Sequence, residues 1–522
     1  MKISKNIKSI LRVSLFVGAG LMTLSSCSDN EPMENGLQDK ESGFLQLSLS
    51  LPSTRSTINN DGSSSEGTEN AYGKESSVES IKLIFCKAGT DADNDSYVSV
   101  LESSTNPVSN TAGNIITVKV PVDYKDFATK FAGQKVTVYA VANADITLDG
   151  NSPKTWKLKF NDFNSNGLGV WTSPDGKAVP LVNAERSGVI DFSGNDYQAM
   201  KALFNDQNGR VYHLSEAGLG TLKMERAVAR FDYKGSNNNV YPLGESGMFV
   251  KIAMLQPVNV SKEAYLFRHT SAGNATEATG DARMFGNENG GDASAYTWIS
   301  DTDWATKTAG AGPATGYFIN QPSVSNGVVT LTGSWSETES ITSEANNTSN
   351  SADNGYHAWC YISENTLPST ATMIEGLSTG VAFRAILCDE DGKALTKAQL
   401  LNTNASWAWT LSFSENGDNL SVSNLKDGSR VLQKIEGQDA YALVYFYWNR
   451  HNDVAKELST TDPMEFAVVR NHIYKISITG INTLPRIYDP TAKDELVTPQ
   501  NQDFTVAVAL EEWGYNQVEM DI

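Results

Sequence analysis

The residue with the plainest chemistry is Cys27, which closes the run Leu24-Ser25-Ser26-Cys27. A thiolate there is a nucleophile, and small residues ahead of it fit a peptidase cleft, so Cys27 can accept a diacylglycerol group. The preceding residues fit that chemistry. Lys2, Lys5, Lys8 and Arg12 form a basic start, and the apolar run from Val13 to Leu24 is too short to span a bilayer but suits a signal-peptide core. The expectation is a signal peptide over 1–26 and a lipoprotein beginning at Cys27. A second reactive place is the peptide bond between Arg55 and Ser56. It lies in Leu51-Pro-Ser-Thr-Arg-Ser56, a turn-forming, flexible stretch open to a trypsin-like protease.

Other motifs lead to no catalyst. Gly376-Leu-Ser378-Thr-Gly380 has the spacing of a nucleophile elbow, which needs a strand before the serine and a helix after it. Here a strand-like run, Val381 to Cys388, follows, and a polar loop is expected instead. The five histidines, His213, His269, His357, His451 and His472, form no pair with cysteine or carboxylate at ligand spacing, and His357 with Cys360 lacks a second pair. Asp91, Asp93, Asp95, Ser99 and Glu102 stand where a calcium loop places its oxygens, but Ser96 takes the turn glycine's position and the flanks are strand-like. An acidic hairpin turn is the competing reading. Asp162, Asn164 and Asn166 form a weaker match, with Ser173 where glutamate belongs. The aromatic run Tyr441 to Trp448 could stack on sugars or bases, but a strand buried on both faces accounts for it. No catalytic constellation assembles, so no enzyme activity, cofactor or metal is expected.

The elements that carry these residues read as strands. Most periodic segments alternate with period two between Gly, Asn, Asp and Ser clusters, which predicts an all-β protein. Val136–Ala142, Leu222–Tyr233 and Gly327–Thr332 are examples, while Tyr124–Phe131 and Asp196–Phe204 predict short helices. Residues 57–77 read as a flexible segment, and 270–295 and 336–356 as long surface loops. A domain boundary is expected near Arg230 to Lys234. Both ends are strand-like. Leu45, Leu47, Leu49 and Leu51 form one apolar face, as do Phe504, Val506, Val508 and Leu510, and then Val518, Met520 and Ile522. Each terminal strand needs a partner edge.

The 522 residues have room for several domains, and the net charge of -20, from 41 basic and 61 acidic residues, disfavours nucleic acid and anionic membranes as partners. If Cys27 carries lipid, Cys86, Cys360 and Cys388 remain, an odd number that argues against a disulfide framework. Cys86 and Cys388 sit in strand-like runs and read as buried thiols, and whether Cys360 pairs with either stays open.

Together these segments resemble the fimbrillins of type V pili, most closely the major shaft subunit of short (minor) fimbriae. The resemblance spans the chain. It rests on Cys27, on Phe44 to Pro52 followed by Arg55, on Lys135 to Asn143, and on Met224 to Arg230. Further on it includes Tyr445 to Trp448, Val468 to Ile476, Phe504 to Trp513 and Val518 to Ile522. It implies an all-β fold of two tandem transthyretin-like β-sandwich domains with a few short helices and long surface loops. The divisions would be a propeptide at 27–55 with the removable strand, sandwiches at 56–232 and 233–486, and a donor segment at 487–522. It also implies a lipidated precursor at the outer membrane, cut after Arg55 by an arginine-specific protease, and a mature form in extracellular fimbriae. Loss of the strand carrying Leu45, Leu47, Leu49 and Leu51 would open a groove for the C-terminal segment of a neighbouring copy. The implied partners are copies of itself, accessory and anchor subunits, and an unidentified host or bacterial surface ligand, in support of adhesion or biofilm formation. Three other readings stand beside this one: an accessory, anchor or tip subunit, a glycan-binding surface lipoprotein, and a secreted hydrolase using Ser378.

Overall fold

In the computed structural model the described residues are 42–51, 67–69, 75, 77–103, 108–112, 115–144, 146, 148–160, 178–204, 210–235, 237–244, 246–274, 277–286, 298–308, 316–342, 355–402, 411–424, 428–451, 463–492 and 504–513. Period-two alternation becomes pairing almost everywhere, and the chain is all-β. The first sheet runs, in bonded order, through Ser96–Ser103, Ile81–Lys87, Lys135–Ala142, Leu181–Asn183, Leu222–Arg226, Ser42–Ser50, Ile115–Asp123 and Val108–Ala112. Its strands alternate because one face is packed and the other wet. In Ile115–Asp123, for example, Ile116, Val118, Val120 and Val122 are buried while the residues between them are not.

Asp123 ends that strand and caps the next helix, Tyr124–Phe131, accepting from the backbone N–H groups of Lys125 and Asp126. The helix buries Tyr124, Phe127 and Phe131, and Phe85 of the sheet meets Phe127 edge-on at 5.6 Å. The second expected helix forms over Tyr197–Ala202, capped by Asp196.

Two more sheets make up most of the rest. One has the order Gly67–Glu69, Phe504–Trp513, His472–Ile481, Ala229–Lys234, His357–Ile362. The other has the order Val240–Pro242, Phe249–Val258, Gly380–Cys388, Tyr441–Trp448, Gly428–Lys434, Asn419–Asn424, Leu411–Asn416. Their inner faces meet in a sandwich, with the Tyr233 ring of one 6.4 Å from the Phe383 ring of the other. Tyr441–Trp448 is an inner strand, with Tyr441, Leu443 and Tyr445 buried on one face and Ala442 and Trp448 on the other, while Val444, Phe446 and Tyr447 are half-buried, so the expected burial on both faces is met only in part. Among the described residues no helix is long and apolar enough to cross a membrane.

Three expectations need correction. The predicted strand Leu222–Tyr233 is two strands in different sheets, because the backbone leaves the ladder at Ala227-Val228. There the Ala227 N–H donates to the Pro180 carbonyl and the Val228 carbonyl accepts from Asn471. The stretch 57–77 is not uniformly a loose segment, since Gly67–Glu69 pairs with Phe504–Trp513 and Glu75 is fully buried. Likewise 270–295 and 336–356 contain structure. His269–Gly273 and Ala278–Met284 form a hairpin, and Thr338–Ile341 is a helical turn that buries Ile341.

Candidate functional site

The first described strand, Ser42–Ser50, lies inside its sheet with a partner on each edge. On one side it pairs antiparallel with Ile115–Asp123 over all nine residues, from Ser42 opposite Asp123 to Ser50 opposite Ile115. On the other it runs parallel to Val211–His213 and then to Leu222–Arg226. The backbone is bonded there too: the Phe44 N–H donates to the Arg210 carbonyl at 2.8 Å and the Leu214 N–H to the Gln46 carbonyl at 2.8 Å. Between the two parallel partners the Ser48 N–H donates to Ser215 Oγ at 2.8 Å.

The four leucines singled out in the sequence share the packed face. Leu45, Leu47, Leu49 and Leu51 are each at most 2% exposed. Across the antiparallel ladder Leu45 faces Val120, Leu47 faces Val118 and Leu49 faces Ile116, an apolar pair at every inward position. Burial of each leucine contributes about 1.5–3 kcal/mol. At the strand's start Gly43 is required by space: a Cβ there would lie 2.9 Å from the Phe204 ring and 3.0 Å from the Arg210 carbonyl oxygen. Withdrawing this strand would uncover an apolar groove with unpaired backbone groups along both walls.

The C-terminal strand, Phe504–Trp513, is housed in its own chain. It pairs antiparallel with His472–Ile481, placing Phe504 opposite Ile481, Val506 opposite Ile478, Val508 opposite Ile476 and Leu510 opposite Tyr474, and parallel with Gly67–Glu69. Phe504, Val506, Val508 and Leu510 recur along this register with the same two-residue spacing as the four leucines. Cys27, Arg55, Ser56, Val518, Met520 and Ile522 lie outside the described residues, as do Asp162, Asn164, Asn166 and Ser173.

Where the chain passes between sheets, the segment Met224–Arg230 carries buried charge. The Arg230 guanidinium donates to Glu75 at 2.9 Å and to Asp232 at 2.7 Å, and the side chains of all three are fully buried. Glu75 also accepts from the Tyr361 hydroxyl. Glu225 pairs with Arg268, and Arg470 pairs with Glu364 at 3.0 Å. Ions so far from water persist only when paired and hydrogen-bonded. The sequence signals half of this joint, because Glu225, Arg226 and Arg230 interrupt an apolar strand pattern. Glu75 sits in a polar stretch with nothing to set it apart.

The remaining motifs settle as structure. Ser378 is fully buried and its hydroxyl donates to the Ile374 carbonyl, with Gly380 opening the strand behind it, so the elbow does not form. The Asp91–Asp95 oxygens do not converge. Asp91 caps a short turn by accepting from the Asn94 N–H, Asp93 pairs with Lys154 at 2.8 Å, and Asp95 pairs with Arg186 at 2.6 Å while accepting from Thr137. Among the described residues no three His, Cys, Asp or Glu side chains come together as metal ligands. Cys86, Cys360 and Cys388 are buried and free, and burial pushes each thiol up. His269 is held neutral chiefly by burial, which lowers it to about 3 against the hydrogen bond to the Phe267 carbonyl. Among the described residues, the polar cleft between Asp91, Asp93, Lys154, Asp281 and Arg283 is lined by no aromatic ring on which a sugar could stack.

Residues 440–519 match the family described as major fimbrial subunit protein type IV, fimbrillin, C-terminal. That span takes in the aromatic strand, the strand His472–Ile481 and the C-terminal strand. No curated protein matches the chain. Among solved structures, a fimbrillin of Porphyromonas gingivalis aligns at 14% identity over 91% of this chain and 99% of that one, with a TM-score of 0.38. A candidate cell adhesion protein of Parabacteroides distasonis aligns at 12% identity over 92% and 98%, with a TM-score of 0.38. A tip fimbrial protein of Porphyromonas gingivalis, truncated at its C-terminus, aligns at 10% identity over 90% and 100%, with a TM-score of 0.30. Superpositions this loose transfer no residue's role.

Proposed function

We propose that this chain, a fimbrillin by the family match over residues 440–519, is a structural subunit of a cell-surface fimbria that polymerises by strand replacement. It has no enzymatic role in this reading. The precursor is exported, lipidated at Cys27 and held at the outer membrane. Cleavage between Arg55 and Ser56 by an arginine-specific protease releases the propeptide together with the N-terminal strand. The C-terminal segment of a neighbouring copy, Asp503 to Ile522, then fills the vacated groove, and repetition builds a shaft that meets accessory and anchor subunits and supports adhesion or biofilm formation. The domain division that goes with it, two tandem transthyretin-like sandwiches at 56–232 and 233–486, is supported by the passage of the chain from one sheet to the next at Ala227-Val228.

One observation carries the reading. Ser42–Ser50 is an inner strand with three buried leucines, a fourth, Leu51, is buried just beyond it, and Arg55 follows Leu51 after three residues. A strand bonded on both sides holds the precursor folded without a partner. A cut just beyond it leaves the strand held by noncovalent contacts alone, so that an incoming strand with equally spaced apolar residues can replace both the ladder and the apolar contacts.

Substitution of Arg55 tests this. Arg55→Ala should give a folded, lipidated precursor that runs as a monomer, whereas the parent chain begins at Ser56 and forms ladders on gels in mild detergent. Ladders from the variant would remove cleavage from the account. Mass spectrometry of the mature N-terminus separates a shaft subunit, starting at Ser56, from an anchor that keeps its lipid at Cys27.

A further inference from the structure

A buried amine sits against a buried carboxamide in a part of the molecule that the assembly reading does not use. The Lys307 side chain is fully buried, at the end of the short turn Trp304–Thr306. Its Nζ donates to Asn365 Oδ1 at 2.7 Å, to Asp301 Oδ2 at 2.6 Å and to the Thr366 carbonyl at 2.5 Å, and it lies 3.1 Å from Asp303 Oδ1. Asn365 and Asp301 are themselves fully buried.

The carboxamide is fixed in one orientation. Asn365 Nδ2 donates to the Leu377 carbonyl at 2.9 Å and to Thr379 Oγ1 at 2.8 Å, and the Thr379 hydroxyl spends its own proton on the Asn259 carbonyl. The carbonyl oxygen therefore faces the amine, and Cγ is one bond beyond it. Asp301 is clamped just as firmly, accepting from the Thr366 N–H at 2.5 Å while its own N–H donates to Thr366 Oγ1 at 3.1 Å. A nucleophile, an acyl carbon and two carboxyl groups are thus held together away from water, where positioning replaces most of the entropy cost of a reaction.

We infer that Lys307 and Asn365 form an intramolecular isopeptide bond, with Asp303 and Asp301 as its acid–base pair. Burial, and then the neighbouring Asp303 carboxylate, raise Asp301 well above the usual carboxylate range, which makes it a strong proton acceptor beside the amine. Asp303, despite its own burial, is held low by the Lys307 ammonium, and the two carboxylates hold that ammonium protonated against burial. The amine is freed by passing one proton from Lys307 Nζ to Asp303. Nζ then attacks Asn365 Cγ, forming the new C–N bond. Asp301 takes a proton from the attacking nitrogen and passes one to the departing Nδ2. The Cγ–Nδ2 bond breaks and ammonia leaves, carrying away the proton on Asp303 as ammonium. Both aspartates end as they began, and no oxidant or cofactor is needed.

The bond joins positions 58 residues apart and ties the turn at 301–307 to the segment that follows the strand His357–Ile362. A pull on that strand is then carried by a covalent link as well as by hydrogen bonds.

Tryptic digestion of the denatured full chain, followed by tandem mass spectrometry, tests the inference. The expected product is a branched peptide joining Lys307 to Asn365, lighter than its two parts by one ammonia, about 17 Da, with no cleavage after Lys307. Recovery of a peptide ending at Lys307 together with an unmodified Asn365 peptide, from chain that was folded before denaturation, would overturn it. Lys307→Arg keeps the positive charge and should give only linear peptides. Asp301→Asn should restore cleavage after Lys307, and a branched peptide from that variant would refute the proton-transfer role of Asp301.

Discussion

At the scale of single residues the molecule is defined by charge held away from water. Arg230 stands between Glu75 and Asp232 where the chain passes from one sheet to another, and its removal takes a hydrogen-bonded guanidinium from beside two buried carboxylates. Arg230→Ala should therefore destabilise the fold by about 3–5 kcal/mol, read from the shift of the denaturant midpoint. His269 makes a different prediction. Its folded pKa, lowered to about 3, lies below the ordinary value of 6.5, so the unfolded chain binds the proton first. That part of the stability is complete above about pH 6.5 and is lost as pH falls toward 3. Urea midpoints measured from pH 7 down to pH 4 should fall less steeply in His269→Gln than in the parent. Residue types alone reveal little of this. Arg226 and Arg230 stand out in an apolar pattern, and Asp232 is a near neighbour, but Glu75 and the Tyr361 hydroxyl bonded to it come from distant places that no local rule brings to them.

At the scale of elements the N-terminal strand is the feature the sequence exposes best. The alternation of Leu45, Leu47, Leu49 and Leu51 is a local signal, and the structure returns it as four buried side chains. Its place between an antiparallel and a parallel partner is not local and has no trace in the spacing. Leu47→Ala should destabilise the uncleaved precursor by about 2–5 kcal/mol, measured by thermal or denaturant unfolding, through the cavity it leaves against Val118. The same substitution should leave the stability of assembled fibres unchanged if, as proposed, cleavage removes the strand before assembly. The helix Tyr124–Phe131 was equally legible, because its apolar face and the Asp123 cap lie within one short window. The split of Leu222–Tyr233 was not, because what ends the first strand is a hydrogen bond from Ala227 to Pro180 far along the chain.

At the scale of the whole molecule the all-β architecture follows from period-two patterns repeated along the chain, whereas the order of strands within each sheet does not. Long-range pairings such as Ala229–Lys234 with His472–Ile481 depend on the complete fold. Assembly belongs to this scale. Phe504–Trp513 already has a place in its own sheet, so donation to a neighbour either peels it away or uses the residues beyond it. Deleting residues 503–522 should leave a folded core that forms no detergent-resistant ladders. Deleting 514–522 alone should do the same only if the distal residues Val518, Met520 and Ile522 are the ones that fill the groove. The central claim, that this chain builds a surface fibre, is tested most directly by immunogold electron microscopy of cells with and without it. The account predicts fibres labelled along their length in the parent and none in the deletion strain. Unchanged, unlabelled fibres in both would contradict it.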